Sequence, residues 1–138
     1  MRMSISRLRD RATKLLEKHE DAHRSNIVCF ILDKQGRVIS TGYNSMLKTS
    51  TKQGQLAIKC GEPERKYRHA EVHAVSKAKW IKSKAHAIFV VRKLRNSDSL
   101  ALAKPCQICD MAIRELENVR FLIYSNTEGH ITFEKNIR

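Results

Sequence analysis

The chain has 138 residues, with 27 Lys and Arg against 14 Asp and Glu, and so a formal charge of +13 at pH 7. Hydrophobic residues at 41 %, with only 5 Gly and 2 Pro, suit one folded domain over residues 1–138 and exclude a disordered basic tail or a multidomain assembly. No run approaches the roughly 18 to 20 apolar residues of a membrane helix, and the opening MRMSISRLRDR has no apolar signal core. A cytoplasmic, reducing compartment with no membrane partner is therefore expected.

Ser4 to about Glu20 reads as a helix, with Ile5, Leu8, Ala12, Leu15 and Leu16 at spacings of three and four and Ser4 as its cap. From Asn26 the run IVCFIL suits a strand buried on both faces, and Arg37 to Thr41 returns as a second strand after the loop Asp33 to Gly36. Gly42 to Arg68 has no period of either kind and is expected to be a long surface loop with at most one irregular helical turn. His69 to Lys79 is a helix of small apolar residues, closed by Trp80 as a packing residue; Ala87 to Val91 is a third strand buried on both faces. Arg92 to Lys104 is a polar connection. Pro105 opens a helix from Cys106 to Glu117, and Val119 to Tyr124 and Ile131 to Phe133 complete the strands. This order predicts an α/β fold: a three-layer α/β/α sandwich around a mixed five-stranded sheet, with sites clustered at strand ends.

Two motifs carry chemistry. His69-Ala70-Glu71 opens one helix and Pro105-Cys106-Gln107-Ile108-Cys109 opens the next. Cys106 and Cys109, three apart on a helix, can face one point, and a helix N-terminus favours their thiolates. With His69 they form a three-ligand set with one position open, the arrangement of catalytic rather than structural zinc. Glu71 stands beside such a metal, placed to take a proton from water and pass it to a substrate nitrogen.

H-x-E followed by P-C-x-x-C is the signature of zinc nucleobase deaminases, and the chain resembles the cytidine and deoxycytidylate deaminase superfamily from about Ile27 to Ser125. The resemblance implies zinc as cofactor, held by His69, Cys106 and Cys109, hydrolytic attack at C4 of cytosine, Glu71 as the proton shuttle, and a homo-oligomer. Gly42-Tyr43-Asn44 is similar to a Gly-Tyr-Asn of the deoxycytidylate deaminases, which implies that Asn44 contacts the sugar; Ala70 joins it as a substrate contact. The expected substrate is a free nucleotide, dCMP giving dUMP.

Other residues carry weaker signals. Arg65, Lys66 and Arg68 directly precede the first motif, where a substrate phosphate needs a partner. Tyr124, at a strand end, suits stacking on the base or a bond to its phosphate, or is a partly buried strand aromatic. His73, one turn after His69, suits a hydrogen bond near the site or a solvated position. Cys29 reads as core and Cys60 as a loop thiol. Seven Lys or Arg and no acid lie between Lys77 and Arg95, a solvated face or a surface for single-stranded nucleic acid. Two rival readings follow: a deaminase of single-stranded DNA or RNA, and a non-enzymatic nucleic-acid module whose structural zinc takes Cys60 as fourth ligand.

Overall fold

A computed structural model describes residues 4–18, 25–45, 48–78, 81–94 and 100–135. The chain runs α1 (Ile5–Lys18), β1 (Ser25–Leu32), β2 (Val38–Tyr43), α2 (Thr51–Lys59), α3 (Ala70–Lys77), β3 (Ala87–Leu94), β4 (Leu100–Ala101), α4 (Gln107–Arg114), β5 (Phe121–Ser125) and β6 (Ile131–Lys135). A single 3-10 turn, Lys82–Lys84, precedes β3. The strands form one mixed sheet in the order β2-β1-β3-β5-β6, with β4 paired to β3. β3 and β5 run parallel and the other pairs antiparallel, so the crossover between the parallel pair carries α4.

β1 and β3 are apolar at every central position because both faces of the sheet are covered. On one face Val28, Phe30, Leu32, Ala87, Phe89 and Val91 pack with Leu8, Ala12 and Leu16 of α1. On the other, Cys29, Ile31, Ile88 and Val90 meet α2, α3 and α4. The expected three layers are present. α1 starts where Ser4 predicts, with the Arg7 amide donating to Ser4 Oγ at 3.3 Å. The hairpin closes at Asp33, whose Oδ1 accepts from the amides of Gln35 (3.0 Å) and Arg37 (2.8 Å).

Two sequence expectations need correction. The segment read as a loop from Gly42 to Arg68 contains a regular helix, α2, capped by Ser50 Oγ accepting from the Gln53 amide at 3.0 Å. Its buried face is only Gln53, Leu56 and Ala57, too few apolar residues to register as a helical period. The sheet has six strands rather than five: β4, inside the expected polar connection, exists because Ala101 and Leu100 pair with Arg92 and Lys93. Trp80, Lys79, Arg95 and the helix end expected at Glu20 lie outside the described residues.

The packing of α3 on β2 positions the site. A Cβ at Gly42 would lie 2.2 Å from the Ala70 carbonyl oxygen and 2.4 Å from the Ala74 amide, so only glycine admits the helix at this distance. Ser40 Oγ donates to the Ala74 carbonyl at 2.8 Å, and His73 Nδ1 accepts from the Tyr43 amide at 3.0 Å. Three successive contacts thus hold α3, and with it the first motif, at the end of β2.

Candidate functional site

His69 and Cys106 occupy equivalent places, the N-cap positions of α3 and α4, both in extended backbone and neither bonding its own helix through its side chain. Their side chains are turned toward each other and toward Cys109, one turn into α4. His69 Nδ1 lies 3.3 Å from Cys109 Sγ and 3.6 Å from Cys106 Sγ, and the three donor atoms lie within 4.8 Å of one another. A tetrahedral zinc with ordinary Zn–N and Zn–S bonds separates such donors by about 3.5 Å. The donor set therefore fits zinc in both chemistry and spacing.

The two thiols are shifted in opposite directions. A hydrogen bond from Cys109 is the main force that brings Cys106 down to about 3, against its burial and with help from His69. The same bond, together with burial, drives Cys109 well above the usual thiol range. Cys106 is thus a ready thiolate and Cys109 the proton donor that a metal would displace.

Glu71, in the first turn of α3, is 5 % exposed. Burial raises its pKa above the usual carboxylate value, although its backbone amide, Cys109 and His69 hold it back. A carboxyl whose charged form is destabilised beside such a donor set is placed both to accept and to return a proton.

His69, Glu71 and Cys106 form the floor of a cleft of about 480 Å³. Asn44, Arg65 and Arg68 line it too. Asn44 Oδ1 accepts from the Ile27 amide at 2.9 Å, so the side chain is held against the edge of β1. Arg65 pairs with Glu62 at 3.3 Å, and Arg68 Nε donates to the Tyr43 carbonyl at 3.0 Å. Lys66 is exposed and is not among the lining residues.

Ala70 and Tyr124 are likewise not among them. Ala70 is fully buried under Gly42. Tyr124 packs in the core under α4 and donates from its hydroxyl to Glu134 Oε1 at 2.8 Å. Glu134 also faces Lys104, a lining residue, at 3.7 Å, so Tyr124 stands one residue removed from the cleft. His73 takes the hydrogen-bonding option, and burial followed by the charges of Arg68, Lys77 and Lys48 brings it down to about 4, a neutral acceptor at physiological pH. Cys29 is core. Cys60 Sγ lies 3.0 Å from Met111 Sδ and is not a member of the donor cluster.

Gln53 escaped the sequence reading. Fully buried on α2, it donates from Nε2 to the Arg65 carbonyl at 3.0 Å and accepts the His69 amide on Oε1 at 3.3 Å. One side chain thus joins a cleft arginine to a member of the donor cluster. The readable signal was Ser50 followed three residues later by Gln53, the pattern of a capping box. Ser125 is a second such residue. Its buried hydroxyl accepts the Arg92 amide at 3.1 Å and donates to the Ala101 carbonyl, which pins the strand leading to Cys106.

A profile described as the cytidine and deoxycytidylate deaminase zinc-binding region matches residues 3–125, which include the whole cleft floor. No curated protein matches the chain. Among the described residues, no helix is long and apolar enough to cross a membrane.

Proposed function

The chain belongs to the cytidine and deoxycytidylate deaminase zinc-binding family, and from that premise we propose that it is a zinc-dependent hydrolase converting cytosine to uracil in a free nucleotide, with dCMP giving dUMP as the leading reaction. The observation that carries this reading is Glu71, a buried carboxyl beside a three-donor cluster at the floor of a cleft with cationic walls. His69, Cys106 and Cys109 would hold zinc with room left for water, and the metal would supply a water acidic enough to serve as nucleophile near neutral pH.

The chain's own residues do the rest. Glu71 takes one proton of the attacking water and delivers it to N3 of the ring, then takes the second from the resulting C4 hydroxyl and delivers it to the departing amine, so ammonia leaves as a neutral molecule. Its raised pKa suits the return of the proton, because burial makes the neutral carboxyl cheaper to form. Asn44, held by Ile27, borders the cleft where the sugar lies. Arg65 and Arg68 supply positive charge along one wall. The structural-zinc reading is the less favoured one, since Cys60 is not a member of the donor cluster.

Ammonia release from cytidine, CMP, dCMP, dCTP, adenosine and a single-stranded oligonucleotide tests the proposal. dCMP is expected to turn over fastest, and Glu71→Gln is expected to lower that rate by about 10²- to 10⁴-fold. Fastest turnover of the oligonucleotide, with a steep fall as salt rises, would transfer the reading to a polynucleotide deaminase. A Glu71→Gln protein with native turnover would sink the mechanism.

A further inference from the structure

Arg92 was counted with the basic block of a solvated face, and its place in the sheet contradicts that. On β3, Ile88 and Val90 point to the α3 and α4 side, and Arg92 is the next residue of the same parity. It pairs in register with Ile27 of β1, and both residues line the cleft over His69 and Glu71. Its Nε is a buried nitrogen with no hydrogen-bond partner, which holds for no other buried side-chain nitrogen or oxygen among the described residues.

The other cations of the cleft are engaged: Arg65 with Glu62, Arg68 with the Tyr43 carbonyl and Lys104 with Glu134. A guanidinium N–H removed from water and left without an acceptor is costly, so the residue lacks an internal anchor, and the guanidinium lines the cleft, where a ligand oxygen can pair with its fork. Its charge and its planar fork favour an anionic oxygen, and phosphate above a neutral carbonyl. The bond from the Arg92 amide to Ser125 holds that strand position still. We infer that Arg92 grips the phosphate of the nucleotide substrate and makes the cleft select nucleotides over nucleosides. The inference rests on the nucleotide reading above and assigns its specificity to a residue of β3.

Calorimetric titration of the zinc-loaded Glu71→Gln protein, which holds substrate without consuming it, measures the selection directly. dCMP is expected to bind at least about 10-fold more tightly than deoxycytidine. Adding Arg92→Gln is expected to weaken dCMP by about 10- to 100-fold and to leave deoxycytidine unchanged. Arg92→Lys keeps the charge and loses the fork, so it is expected to fall between the two and stands in if Arg92→Gln fails to fold. Equal weakening of both ligands, or of neither, overturns the inference, as does a parent protein indifferent to the phosphate. The function reading fails by a different result: absence of ammonia release by the native protein from every cytosine compound while the Arg92-dependent preference for dCMP persists.

Discussion

The cleft over His69 and a second cleft of about 540 Å³ lie at opposite ends of the same sheet. The first opens where β3 and β5, the parallel pair, end; the second is lined by His86 and Arg120, the residues that precede those strands. Both are cationic, the second through Lys34, Arg37, Lys84 and Arg120. Their contents differ. In the second, Asp33 is satisfied by Arg37 at 2.8 Å and by two amides, and the basic side chains reach into solvent. In the first, two helix starts converge, three donors cluster, an acid is buried and one guanidinium nitrogen is without a partner. Volume and charge are thus shared by a site and a mere hollow, and burial of polar groups that need a ligand tells them apart.

Removing a donor should widen the contrast most. His69→Ala or Cys109→Ala is expected to abolish one zinc per chain, read by metal analysis, together with all measurable ammonia release; retained zinc in both variants would detach the cluster from the metal. Gly42→Ala comes next, because its Cβ meets backbone atoms of Ala70 and Ala74 that cannot give way. A loss of about 2 to 3 kcal/mol in denaturant unfolding is expected, with turnover falling as α3 is displaced. Gln53→Leu keeps the volume and deletes both hydrogen bonds, so zinc affinity measured by chelator competition should fall by about 10- to 100-fold.

The second cleft supplies the smallest effects. Lys34→Ala with Arg120→Ala is expected to leave dCMP turnover at the native level, and a large loss there would end the contrast between the two ends. Asp33 supplies a pH test. Burial pushes its carboxyl up, but the Arg37 and Gln35 amides and the Arg37 guanidinium pull it further down, so the folded value lies below the usual one. Its stabilising effect is present above about pH 4 and is lost as pH falls through the folded value. The stability gap between native and Asp33→Asn, followed by denaturant unfolding, should accordingly close below pH 4 and stay open at pH 6.

The donor cluster and the buried carboxyl beside it were legible because His69, Glu71, Cys106 and Cys109 sit in short motifs at helix starts. Most strands were legible too: IVCFIL and AIFVV are apolar on both faces because both faces are covered. What escaped was made by distant pairing. β4 is two residues long and depends on Arg92 and Lys93, 7 to 9 positions earlier in the chain. The buried face of α2 includes a glutamine whose partners, Arg65 and His69, lie beyond its own helix. Tyr124 shows the converse, since its position at a strand end suggested the base while its hydroxyl faces Glu134. Arg92 was masked by its neighbours in composition, although the alternation Ile88, Val90, Arg92 already placed it on the same side of the sheet as Ile88 and Val90.

Two first turns of helix, at Ala70 and Gln107, begin from residues that spend their side chains on the donor cluster instead of on their own amides. Metal loading is on that account expected to stabilise those turns. A chelator should make the chain a better protease substrate at residues 69–72 and 106–110 well before the sheet melts, and zinc should reverse it.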